Sequence, residues 1–227
     1  MRLKWLEAGE KKYRIGLNKG VLYLPTNGVY STGVVWNGLT KVTESPSGAD
    51  EQKFYADNAQ YASVRGAEDF GGTIECYTYP DEFGVCNGEI ELAPGVKGNQ
   101  QSRKPFGLSY QNKIGNDTDG VDHGYEIHLV YNATTSPSEQ NHDTINDSPE
   151  LTSMSFEFAC NPVATSFSEK PLSHITIDST TVDPVKLKSF EDILYGTNPT
   201  VVADETTVEG TTPRLPLPDE VYAHFHE

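Results

Sequence analysis

Apolar and polar residues alternate with period two through much of this chain. Phe106, Leu108 and Tyr110 are separated by Gly107 and Ser109, and Tyr125, Ile127, Leu129 and Tyr131 by Glu126, His128 and Val130. Met154, Phe156, Phe158 and Cys160 alternate with Ser155, Glu157 and Ala159, and Ile74, Cys76 and Thr78 with Glu75, Tyr77 and Tyr79. Successive side chains of a strand point to opposite faces, so each run predicts a strand with one buried face and one polar or mixed face. Weaker strand patterns cover residues 21–24, 33–39, 54–56, 61–65 and 173–177. Several strands with turn residues between them predict a mainly β chain, an antiparallel β-sandwich or barrel.

One helix interrupts the pattern. Asp183 is a good N-cap, Pro184 suits the first helical position, and Leu187, Phe190, Ile193 and Leu194 share a face before Gly196 stops the helix. A shorter helix is expected from Pro80 to Cys86. The remaining segments read as arms and loops: an N-terminal arm over about residues 1–20, a polar loop over 41–53, another over 132–149, and everything after Gly196. Within that last stretch Pro213, Pro216 and Pro218 favour an extended, stiff segment, and Asp219 could cap one turn through Val221 and Phe225. This divides the chain into a β domain over 1–196 and a C-terminal extension over 197–227.

Charge narrows the function. The net charge is −16, which disfavours sequence-specific nucleic-acid binding and docking on an anionic membrane. No run of apolar residues is long enough for a secretory or membrane segment, so synthesis and folding in a cytoplasm are expected. Cys76, Cys86 and Cys160 match no zinc or redox spacing and read as reduced, partly buried small hydrophobes. No phosphate-binding loop, dinucleotide fingerprint or nucleophile elbow occurs, so neither catalysis nor a cofactor is expected. None of the six histidines sits in a His-Glu-x-x-His pair, and His224 and His226 beside Glu227 read as a polar tail. Residues 115–126 fit a calcium loop only in part. Asp117, Asp119 and Glu126 stand at ligand positions, but Gly115 occupies the position that needs Asp, and the flanks read as strands. A polar hairpin loop is the expected structure there, with no metal site.

The residues also resemble a known family. The block Val35-Trp36-Asn37-Gly38-Leu39-Thr40-Lys41-Val42-Thr43-Glu44-Ser45-Pro46-Ser47-Gly48-Ala49 resembles the tail tube (major tail) protein of siphophages infecting Gram-positive bacteria. So do Tyr55-Ala56-Asp57-Asn58, Ala67-Glu68-Asp69-Phe70-Gly71-Gly72-Thr73-Ile74-Glu75 and Tyr77-Thr78-Tyr79-Pro80-Asp81-Glu82-Phe83. Arg103-Lys104-Pro105-Phe106-Gly107-Leu108-Ser109-Tyr110, Ile114-Gly115-Asn116-Asp117-Thr118, Phe190-Glu191-Asp192-Ile193-Leu194-Tyr195-Gly196 and Pro213-Arg214-Leu215-Pro216-Leu217-Pro218-Asp219-Glu220-Val221 complete the pattern in the same order. The Thr-rich stretch 197–212 is longer than the resemblance leads one to expect.

The resemblance implies a tail-tube β fold with a flanking helix and extended terminal arms, and a structural role in the virion. Subunits would form hexameric rings that stack into a tube around a tape-measure protein, between a tip or initiator complex and a terminator protein. Double-stranded DNA would pass through the lumen without specific binding. Acids at the polar positions of strands, Glu75, Glu126 and Glu157, are the candidates for the lumen wall. Glu44 and Pro46 in the 41–53 segment, and Leu215, Leu217, Val221 and Phe225 in the C-terminal arm, are the candidates for contacts between subunits. The alternative role is a carbohydrate- or receptor-binding module of a tail tip, of similar architecture, that does not polymerise.

Overall fold

The computed structural model describes residues 3–48, 50–142, 144, 145, 147, 151–201 and 207–226. In chain order the strands of the first half are β1 (Tyr13–Tyr23), β2 (Gly33–Val35), β3 (Leu39–Glu44), β4 (Ser47–Gly48), β5 (Glu51–Ala56), β6 (Ala59–Arg65), β7 (Glu68–Asp69) and β8 (Gly71–Cys76). A 3-10 turn over Asp81–Val85 follows, then β9 (Ile90–Ala93), β10 (Val96–Gly98), β11 (Phe106–Asn116), β12 (Gly120–Thr135), β13 (Met154–Cys160) and β14 (His174–Asp178). The chain closes with α1 (Pro184–Tyr195), β15 (Thr200–Val201), β16 (Thr207–Val208) and α2 (Pro218–His226).

The main sheet runs β2-β1-β11-β12-β13-β8-β3, with every pairing antiparallel. β12 is long enough to serve two partners on one side: β14 pairs with its residues 126–130 and β13 with 133–135. Between them Asn132 takes a φ of 51°, and its backbone N–H donates to the Tyr30 hydroxyl. The sheet curls until β3 approaches β1. Trp36 N–H donates to Gly20 O, and a Cβ on Gly20 would meet the end of the Leu39 side chain, which packs close over this crossing.

The alternating runs form strands, with β13 spanning the residues that its pattern marks, except that the run Ile74–Tyr79 leaves the strand after Cys76. The expectation of one buried face fails for the central strands, which are buried on both. Inside the curl, Leu22, Ile74, Phe83, Phe106, Leu108, Val130 and Phe156 form one core, with the Phe83 ring 4.5 Å from Trp36. On the opposite face, Val21, Tyr23, Ile127, Leu129 and Tyr131 meet Leu187, Phe190 and Leu194 of α1 and Leu215 and Val221 of the C-terminal segment. Each fully buried large side chain contributes about 1.5–3 kcal/mol. Buried hydroxyls find acceptors: Tyr23 donates to Leu194 O and Tyr131 to Pro216 O.

The helix expectations hold. The Asp183 carboxylate accepts from the N–H groups of Val185 and Lys186, and Gly196 follows the last turn at φ 76°. The segment after Pro218 is more than one turn, a nine-residue helix. Asp219 does not cap it; its carboxylate accepts from Ser166 N–H at 2.8 Å.

Two segments expected to be arm or loop are strand. The N-terminal arm ends at residue 12, because β1 starts at Tyr13 and pairs with β11 from Gly115 onward. Most of the 41–53 loop lies in β3, β4 and the start of β5. Lys41 and Thr43 pair opposite Glu75 and Thr73 and turn away from the core, so these edge-strand residues look like loop in composition. The polar segment after β12 has no regular structure up to residue 142, and much of the rest lies outside the described residues. Among the described residues, no helix is long and apolar enough to cross a membrane.

Candidate assembly surfaces and a strand-bridging histidine cluster

Among the described residues, β5 and β6 form a ribbon that pairs with no other strand. Asp57 and Asn58 take φ of 49° and 63°, the left-handed pair of a tight two-residue turn, and Tyr55 through Gln60 close around it. Along the ribbon Phe54, Tyr55, Tyr61 and Val64 are 52%, 69%, 80% and 56% exposed. Ile90, Leu92 and Val96 of the separate β9–β10 ribbon are also exposed. Large apolar side chains exposed on both faces of a ribbon are candidates for contact with another surface.

The C-terminal candidates sit elsewhere. Leu215 is 1% and Val221 4% exposed, and both belong to the core beneath α1, with Leu217 and Phe225 packed against it. Gly33 N–H donates to Pro213 O, Leu215 N–H to Tyr30 O and Arg214 N–H to Ile193 O. Leu215 and Val221 therefore bury within their own chain and do not stand free for a neighbouring subunit, and Leu217 and Phe225 are partly buried against the same core. Spaced apolar anchors on a stiff segment bury where the nearest apolar surface is, and the second face of β12 supplies it. Pro46 is exposed, between β3 and β4.

The candidate acids separate. Glu157 is exposed and Glu75 half-buried, on the sheet face away from the core, where Glu75 pairs with Lys41 at 3.1 Å. Glu126, the third candidate for the lumen wall, is 4% exposed and held in a two-point fork by Arg14 at 2.6 and 2.7 Å, so it is buried and paired. That bond is the main reason its carboxyl is held below the usual carboxylate range. The partial calcium loop is a turn between β11 and β12. Its acids do not converge: Asp117 pairs with Lys11 at 3.1 Å, Asp119 with His123 at 3.0 Å, and Glu126 with Arg14. Cys76, Cys86 and Cys160 are buried and free, and burial pushes the thiols up to about 11, 12 and 12. His224 and His226 lie in α2 and not in a loose tail, with the His224 ring nitrogen 2.8 Å from Lys186 O; Glu227 is outside the described residues.

One arrangement has no counterpart in the sequence reading. Glu44 ends β3, His128 lies in β12 and His174 begins β14. Glu44 Oε1 is 3.1 Å from His128 Nδ1 and 3.5 Å from His174 Nε2, and the two ring nitrogens are 3.2 Å apart. The imidazoles are the middle of a four-ring stack, Phe70–His174–His128–Tyr110, with centroids 4.7, 5.3 and 4.7 Å apart. The Tyr110 hydroxyl donates to Glu44 Oε1 at 2.6 Å. His128 chiefly, helped by that hydroxyl and by His174, holds the Glu44 carboxyl down at about 2, against the opposing effect of burial. Glu44, expected to meet a neighbour, is therefore engaged within its own chain. Glu44 and His128 line an open cleft of about 690 Å³.

No family model matches the sequence, and no curated protein matches it. Among solved structures, a sheath/tube terminator of an extracellular contractile injection system aligns over 73% of this chain and 97% of its own, at 14% identity and a TM-score of 0.34. The tube-terminating cap of the anti-feeding prophage aligns over 78% and 95%, at 12% identity and 0.34, and a chain of its baseplate over 80% and 100%, at 6% and 0.36. Likenesses this distant carry no argument, so the role has to come from the chain's own residues.

Proposed function

We propose that this chain is a self-assembling structural subunit. The observation that carries the reading is the β5–β6 ribbon, which exposes four large apolar side chains and, among the described residues, pairs with no other strand. A ribbon with free backbone edges and exposed aromatics gains most by docking on another protein surface. In a subunit built to repeat, that surface is a second copy.

The particular assembly we propose is the tail tube of a siphophage: hexameric rings stacked around a tape-measure protein, between tip initiator and terminator, with DNA passing through the lumen during ejection. The ordered blocks of resemblance, from Val35 to Val221, support it. The ribbon's turn, Asp57-Asn58, belongs to one of those blocks. Electron microscopy of the concentrated protein, alone and with tip complex and tape-measure protein, should show rings with six-fold symmetry or tubes. A chain that stays single under all these conditions and instead binds glycans or a host receptor would be a tail-tip module.

Within that reading, the outward face of β8 and β13 turns to the lumen. Acids there would hold a duplex off the wall, although screening limits the effect to about 8–10 Å at physiological salt. Glu157→Lys is expected to leave tubes intact and slow DNA ejection, most strongly at low salt. Unchanged ejection at low salt from normal tubes would place this face away from the DNA.

A further inference from the structure

We infer that Glu44, His128 and His174 form a binding site for a divalent transition-metal ion of the zinc type. The inference does not depend on the assembly role.

The spacing is the first argument. Bonds of about 2.0–2.1 Å around a tetrahedral centre set ligand atoms about 3.3 Å apart. Glu44 Oε1, His128 Nδ1 and His174 Nε2 form a triangle with sides of 3.1, 3.2 and 3.5 Å. The three donor atoms are thus spaced as the ligands of one ion. Two imidazoles and a carboxylate are a donor set that suits zinc, and hard ions such as calcium and magnesium prefer all-oxygen shells.

The second argument is the tautomer of His128. Arg14 fixes the Glu126 carboxylate, and Glu126 Oε2 accepts from Asn112 Nδ2 at 3.2 Å. The Asn112 amide therefore turns its carbonyl toward His128 Nε2, which must donate to it. With an ion bound, the ring would then carry its lone pair on Nδ1, the atom that faces Glu44 and His174, and the ion would replace the proton through which His128 bonds Glu44 in the empty site. A relay that fixes the outer nitrogen and frees the inner one is what a metal-ligating histidine requires. A cation would hold the three converging donor atoms together.

The third argument is support. Phe70 and Tyr110 sandwich the two imidazoles, and the Tyr110 hydroxyl holds the carboxylate. The ring planes of the two histidines lie 10° apart. Imidazole coordinates in its own plane, so binding would splay the rings. The ion would tie the end of β3, where the chain leaves for the β5–β6 ribbon, to the centre of the sheet.

The test uses the full chain stripped of metal. Titration with zinc chloride, followed by calorimetry and thermal unfolding, should show one equivalent bound and a rise in Tm, with no response to calcium or magnesium chloride. Cobalt(II) should give the visible absorption of a tetrahedral site. His174→Asn and Glu44→Gln, which keep size and hydrogen bonding, should each weaken binding at least tenfold, while His224→Asn/His226→Asn should not. No saturable binding at micromolar zinc would overturn the proposal, and so would binding that survives His174→Asn and Glu44→Gln.

Discussion

Replacing Tyr55 and Tyr61 together by Ser is expected to abolish ring and tube formation and to leave the isolated subunit as stable as before. The two rings are 69% and 80% exposed on a ribbon that packs on no core, so their loss changes subunit stability by no more than about 0.5 kcal/mol. In an interface, large aromatic anchors carry a disproportionate share of the binding energy, and truncating two of them costs several kcal/mol. Urea unfolding of the subunit and electron microscopy of the assembly read the two effects separately. Tubes that form normally from the double variant would show that the ribbon is not the docking element.

The opposite outcome is expected for Leu215→Ala. This side chain is 1% exposed against Tyr30 and Gly107, where a Cβ on Gly107 would come within 2.6 Å of the leucine. Truncation leaves a cavity in the core beneath α1 and should cost about 2–5 kcal/mol in the isolated subunit. For a chain of this size each kcal/mol lowers Tm by roughly 2–4 °C. A variant with wild-type stability would mean that the C-terminal segment does not dock on its own subunit in solution.

These two variants mark where the sequence was readable and where it was not. Met154–Cys160 shows its strand plainly because Phe156, Phe158 and Cys160 are separated by residues that face away from the core. α1 shows itself through its cap, its proline and its stop. The second buried face was harder to see. Val130 stands between Leu129 and Tyr131, and Leu22 between Val21 and Tyr23, so the apolar run is continuous, as in strands covered on both sides. What covers their second face is α1 and the C-terminal segment, far along the chain, and nothing local announces that contact. The first half of β1 alternates Tyr13, Ile15 and Leu17 with Arg14, Gly16 and Asn18, a strand pattern that its reading as an arm passed over, and these residues are mostly exposed. The histidine cluster had no local signal at all. Its three residues lie on three strands, each in an unremarkable context, and only register and curl bring them together.

The three cysteines give the molecule a built-in reporter. Each thiol is buried and held protonated well above neutral pH, so alkylating reagents can reach it only when the interior opens. All three belong to the core inside the curl, and none lies on the ribbon or under α1. Labelling rates therefore time the opening of that one core and stay silent when the ribbon moves or the helical face frays, which lets its interior be followed in a crowded assembly without a foreign probe.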